Sequence, residues 1–306
     1  MSSAANNWKG HIEGLLNLVS LHPPEAFSHT GAHEIFIETR FDGVTSALSN
    51  RKAIFLSQPE WMTGPWRNRQ KDAIDFAVDV LVKLPDVLEE WDLLSTRGIT
   101  DETLQRAKVL KEHCSSLETE LQVWYSNFVT SFEKAYPHNA EFIRKGLNDL
   151  TQQANIPDIL ASLDLHHLHA MTIYWTSCTI LHATIDLVKY SFPAVANNST
   201  REPSATGGTV LKYLICLARS ANYFLKSELG LLGTMSMRYT GTCLVRTLHA
   251  HQIRYPEADA EDLKQLRDAM GFLRSLAGYD AWKTWKCGMD DLNYNKNGTY
   301  PSHLCH

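Results

Sequence analysis

The chain has 306 residues, 44% of them hydrophobic and 21% charged, with a net charge of −5 from 29 basic and 34 acidic side chains. That is ordinary globular composition, enough for one large domain or two small ones. The negative balance and the lack of any run of five Lys or Arg exclude a sequence-wide basic surface, so nucleic-acid binding by this chain is not expected.

The opening stretch, Met1-Ser-Ser-Ala-Ala-Asn-Asn-Trp8, is polar and has no apolar run of the signal-peptide kind, so an intracellular, cytoplasmic location is expected. Apolar residues then recur at helical spacing from Trp8 to Val19, from Ala32 to Leu48, and from Lys71 to Leu84, where Pro85 stops the pattern. A long amphipathic pattern runs from Thr103 to Phe132 behind the start signal Thr100-Asp-Glu102. His138 to Leu150 follows. Leu165 to Tyr190 is apolar almost all round and predicts a central buried helix; its apolar part is interrupted by His182 and Asp186 and is too short to span a bilayer. Val210–Leu225, Met237–Ile253 and Ala260–Leu276 complete the set. No period-2 strand pattern occurs. The expectation is an all-α fold: one helical domain of about ten helices over 1–287, a loop near 194–208, and a polar tail over 288–306. The six cysteines are too far apart for a C-x-x-C motif, and free thiols are the default.

Three carboxylates stand one turn apart in a greasy segment: Glu34, Glu38 and Asp42, among Ile35, Phe36, Ile37, Phe41, Val44 and Leu48. Positions i, i+4 and i+8 share a helix face. If that face is buried, the carboxylates cannot all ionise without a cation between them. Magnesium suits such a set, because it takes one or two carboxylates, water and phosphate oxygens. If the face is solvated, the stripe is ordinary surface. Asp72, Asp75 and Asp79 form a second acidic face, for which capping and ion pairing are expected. Asp290-Asp291 with Asn293 and Asn295 is a third, in the polar tail. His166 and His169 lack the intervening acid of a zinc protease motif and are expected to meet a helix end or water.

A series of short motifs resembles the C-terminal regulatory domain of fungal zinc-cluster transcription factors. They are Leu21-His-Pro-Pro-Glu-Ala-Phe27, Gly31-Ala-His33, Arg51-Lys-Ala-Ile-Phe-Leu-Ser-Gln-Pro-Glu-Trp61, Gly64-Pro-Trp66, Asp75 through Leu84-Pro-Asp-Val-Leu88, Ala218-Arg-Ser220, Tyr223-Phe-Leu225 and Gly230-Leu-Leu-Gly233. The likeness covers most of residues 10 to 280 and implies an all-helical fold. The family's six-cysteine zinc cluster and basic stretch have no counterpart in these residues, so the resemblance implies the fold rather than DNA binding. Glu34, Glu38 and Asp42 depart from the family, which usually has apolar, small or weakly polar residues there. The basic Lys226 is a similar departure.

A second likeness, of overall type rather than motif, is to the atypical humulene-synthase-type fungal terpene cyclases. It implies a binuclear magnesium cluster and a lysine on the diphosphate. The leading expectation is therefore an atypical class I terpene cyclase of fungal specialised metabolism, acting on a farnesyl-type prenyl diphosphate. Glu34, Glu38 and Asp42 would hold Mg2+. Lys226, Arg238 and Arg246 would neutralise the leaving diphosphate. Phe36, Phe41, Trp124, Tyr174 and Trp175 would wall the carbocation. Two rivals stand beside it: a metal-free pericyclase or isomerase on an apolar metabolite, and a non-enzymatic ligand-sensing or partner-binding regulator. The sequence is compatible with a homo-oligomer.

Overall fold

The computed structural model describes residues 3–139, 141, 163–195, 210, 212–217, 220, 223–224 and 229. Among these the protein is all-α: seven α-helices and several short 3-10 turns, with no strand. The helices are α1 (Ser3–Ser20), α2 (Ala32–Asn50), α3 (Pro59–Thr63), α4 (Ala73–Leu81), α5 (Leu84–Ser95), α6 (Asp101–Ala135) and α7 (Leu165–Ser191). The expected helices at 237–253 and 260–276, most of the one at 138–150, most of the loop at 194–208, and the tail at 288–306 lie outside the described residues. No described helix is long and apolar enough to cross a membrane. The chain divides into two compact units, the first formed by Met1–Cys114 with Asp290–His306 and the second by Ser115–Met289.

In the first unit, α1 and α2 pack closely because position 43 has no side chain. A Cβ on Gly43 would stand 2.7 Å from Leu16 Cδ2. Gly64 serves the same purpose opposite Pro24, where a Cβ would stand 2.7 Å from Pro24 Cβ and 3.3 Å from the Glu25 amide nitrogen. α2 ends on Arg51, a non-glycine residue at φ 53 in the left-handed region. Its guanidinium forks onto Asp92 at 2.8 and 2.7 Å, which holds that uncommon backbone in place.

The sequence pattern stops one helix before Pro85, and the structure starts another there. α4 ends at Leu81, and Pro85 lies in the first turn of α5. Proline fits a first turn because those N–H groups have no intrahelical partner. The expected 103–132 helix is α6, 35 residues long. Its buried positions Thr103, Ala107, Leu110, Cys114, Leu117, Leu121, Trp124 and Phe128 step by four and three, one continuous inner seam.

In the second unit, α7 is buried on every side from Ala170 to Leu181. Its N-cap is Asp164, whose carboxylate accepts the His167 N–H at 2.8 Å. Its hydroxyls turn back on their own helix: Ser177 donates to the Ile173 carbonyl at 2.9 Å, Thr179 to Trp175 at 2.8 Å and Thr184 to Ile180 at 2.9 Å. That is how an otherwise apolar helix carries polar residues into a core without external partners.

Candidate functional site

The acidic stripe sits on α2 as the spacing requires, but it does not face inward. Glu34 is 54% exposed and Glu38 is exposed; Asp42 is half-buried. Glu34 occupies the third position of the helix and accepts the N–H of the N-cap residue Gly31, which has no side chain to return the bond. Arg69 lies 3.2 Å from its other oxygen. The backbone N–H groups of Glu34 and Gly31, with Arg69, hold this carboxyl below the usual glutamate range. Of the two alternatives the spacing left open, Glu34 and Glu38 take the solvated one. The apolar neighbours Phe36, Val44 and Leu48 take the core face of α2, and the carboxylates, costly to dehydrate, take the other. Among the described residues no group of three His, Cys, Asp or Glu is arranged to hold a metal ion.

The core side of α2 carries a cluster that the stripe concealed. Arg40 is 1% exposed and donates to Asp79 Oδ1 at 2.5 Å, and Lys71 donates to Asp79 Oδ2 at 2.5 Å. Both cations lie against the Trp66 ring, Arg40 at 4.6 Å and Lys71 at 4.3 Å from its centroid. The Trp66 indole N–H donates to Asp75 at 3.3 Å, and Asp75 closes a capping box with Asp72. Burial pulls the Arg40 and Lys71 pKa values down and Asp79 opposes it; burial pushes Asp75 up. Two like charges meet at one indole because one carboxylate serves both, and ring quadrupole attraction adds to this. Around them Phe36 stacks on Trp61 at 6.0 Å and meets Phe27 at 5.4 Å, while His33 presents an edge to Trp66 and bonds the Phe27 carbonyl at 3.1 Å. Asp72, Asp75 and Asp79 therefore cap and pair, as their positions suggested.

The other expected residues are distributed as follows. Phe36 is fully buried within that aromatic knot, and Phe41 is half-buried on α2. Trp124 and Tyr174 belong to the second unit, where they stack face to face at 5.2 Å; Trp175 is buried in the same unit. Lys226, Arg238 and Arg246 lie outside the described residues. His167, next to the expected His166 and His169, is the ring bound to Asp164, at 2.6 Å.

Sequence reasoning missed a second cluster, in the second unit. Cys178 and Tyr174 lie beside Tyr213, whose ring meets that of Tyr174 edge-on at 6.2 Å, and burial pushes the Cys178 thiol up to about 12. Tyr213 stacks flat on His182, whose Nε2 stands 3.6 Å from Glu118. The available signal was the i, i+4 pair Cys178 and His182 on an all-apolar helix. A cleft of about 340 Å3 between α5 and α6 is lined by Glu90, Gln105, Arg106, Val109, Leu110 and His113, with Arg106 forked onto Glu90 at 2.9 and 2.8 Å. No family model, curated protein or solved structure matches this chain.

Proposed function

We propose that this chain is a non-catalytic helical regulatory domain that acts by binding a ligand or partner. One observation carries the reading. The residues that give the sequence its resemblance to zinc-cluster regulatory domains, Phe27, His33, Trp61, Trp66, Asp75 and Asp79, all turn into one internal knot and satisfy one another there. Motifs of that kind specify a scaffold, and the function of a scaffold lies in what its surface or interior binds.

The terpene-cyclase reading asks Glu34, Glu38 and Asp42 to converge on a magnesium pair. Glu34 instead caps its own helix and pairs with Arg69, while Glu38 faces water. A turnover assay separates the two readings. Incubation of the full chain with Mg2+ and farnesyl diphosphate is expected to release no diphosphate. A thermal-shift panel run beside it is expected to show stabilisation by an apolar ligand alone, with no requirement for Mg2+ and diphosphate together. Mg2+-dependent diphosphate release that Glu38→Gln abolishes would overturn the binding-domain reading in favour of the cyclase.

A further inference from the structure

We propose that the cleft between α5 and α6 is the ligand site of this domain, and that it takes a flat, uncharged heteroaromatic molecule of one or two fused rings laid on the Arg106–Glu90 ion pair. The inference rests on the binding-domain reading above and adds where the ligand sits and what its chemistry is.

The cleft belongs to the first unit alone, and its volume of about 340 Å3 lies in the range of small-molecule sites. Arg106 donates through Nε and Nη2 to the two oxygens of Glu90 at 2.9 and 2.8 Å. Two parallel bonds hold guanidinium and carboxylate close to one plane. The two side chains are 30% and 32% exposed, so the pair forms a flat, partly open wall of the cleft. A guanidinium is weakly hydrated and stacks well on the face of an aromatic ring. An aliphatic ring of the same size has no such face to offer.

The other lining residues set the length and the polarity of the ligand. Gln105, Val109 and His113 follow at four-residue steps along one face of α6, so the cleft runs polar, apolar, polar over about 12 Å of helix. Val109 is 55% exposed, an apolar surface that a ring would cover, and Leu110 beside it is already buried. Gln105 and His113 are exposed and make no hydrogen bond to another described residue. The Gln105 amide both donates and accepts, and the neutral imidazole does the same, so each can meet a ring nitrogen or a ring N–H at its end of the cleft. Arg106 and Glu90 neutralise each other, so the wall they form selects neither an anion nor a cation.

The test is ligand-observed saturation-transfer NMR on the full chain, with adenine, indole and cyclohexanol as probes. Adenine and indole are expected to bind, and cyclohexanol is not. Val109→Glu puts a charge on the α6 wall at an exposed position, where the fold tolerates it, and should abolish the ring signal. Arg106→Lys keeps a cation beside Glu90 but loses the flat fork, and should raise the Kd by about tenfold. No binding of either ring would overturn the site, and so would cyclohexanol binding as tight as that of indole. Ring binding left unchanged by either substitution would overturn the cleft while the binding-domain reading stands. Mg2+-dependent diphosphate release sinks that reading whatever the probes do, so the two failures are distinguishable.

Discussion

The two units bury polar groups in opposite ways. In the first, Arg40 and Lys71 share the Asp79 carboxylate across up to 39 positions of chain, with Arg40 Nε and Nη1 left buried without a hydrogen-bond partner. In the second, most of the buried hydroxyls of α7 bond carbonyls three or four residues back on the same helix. The first arrangement exists only when distant segments meet, and it costs heavily if one member is lost. The second exists as soon as the helix does, and it constrains little beyond the helix. A core built on long-range charge specifies one mutual placement of its helices. A core built on self-satisfied hydroxyls leaves specification to shape and to the few groups that reach across, such as the Tyr174 and Tyr213 rings.

The largest test of this contrast is Asp79→Ala. It strands two buried cations and is expected to destabilise the first unit by about 3–5 kcal/mol, read as lost amide protection in α2 and α4. Arg40→Met should cost much less, because Lys71 stays on Asp79; equal losses would mean that the three groups do not share one carboxylate as described.

Acidification should act on the units in different windows. Glu34 is held low by backbone N–H groups, and Glu89 by Lys52 and the Ala53 N–H, so both support the first unit above the ordinary glutamate value of 4.5 and lose that support below it. Asp75 and Asp86, raised by burial, have the opposite sign and soften the loss. The second unit should begin to weaken near pH 6.5, through His182, whose pKa burial pulls down. Exchange protection followed separately in α2 and in α7 would show this order; weakening of α2 at the higher pH would break it.

Asp164→Ala removes the N-cap of α7 and should cost about 1 kcal/mol, seen as fraying of the 165–168 amides. Thr179→Val, which removes a hydroxyl satisfied within its own helix, should change stability by less than about 1 kcal/mol; a larger loss would show that the hydroxyl has a partner elsewhere. Glu38→Gln on the solvent face should shift stability by no more than about 0.5 kcal/mol.

How far the site was legible can be seen on α2 itself. The i, i+4, i+8 spacing of Glu34, Glu38 and Asp42 correctly places them on one side of a helix, yet it does not say which side is wet. Arg40, which stands between them in the sequence, is the buried residue, and Glu34 pairs with Arg69. Nothing local distinguishes these outcomes, since the choice rests on Asp79 and Trp66, whose positions are set by α4 and the turn before it. Gly64-Pro-Trp66 was visible as a motif, but its role as the floor beneath two cations was not.

The amino-acid order by itself determined the helical class, the presence of α1, the extent of α2, α6 and α7 to within a few residues, and the capping of α4 by Asp72 and Asp75, because each depends on periodicities and side-chain-to-backbone bonds within a few residues. Only the tertiary structure decided that Pro85 begins a helix, that Arg40 is interior while Glu34 is exterior, and that His182 lies on Tyr213. Those outcomes depend on the free energy of removing a charge or a ring from water, and that quantity has no value until the distant groups that compensate it are in place.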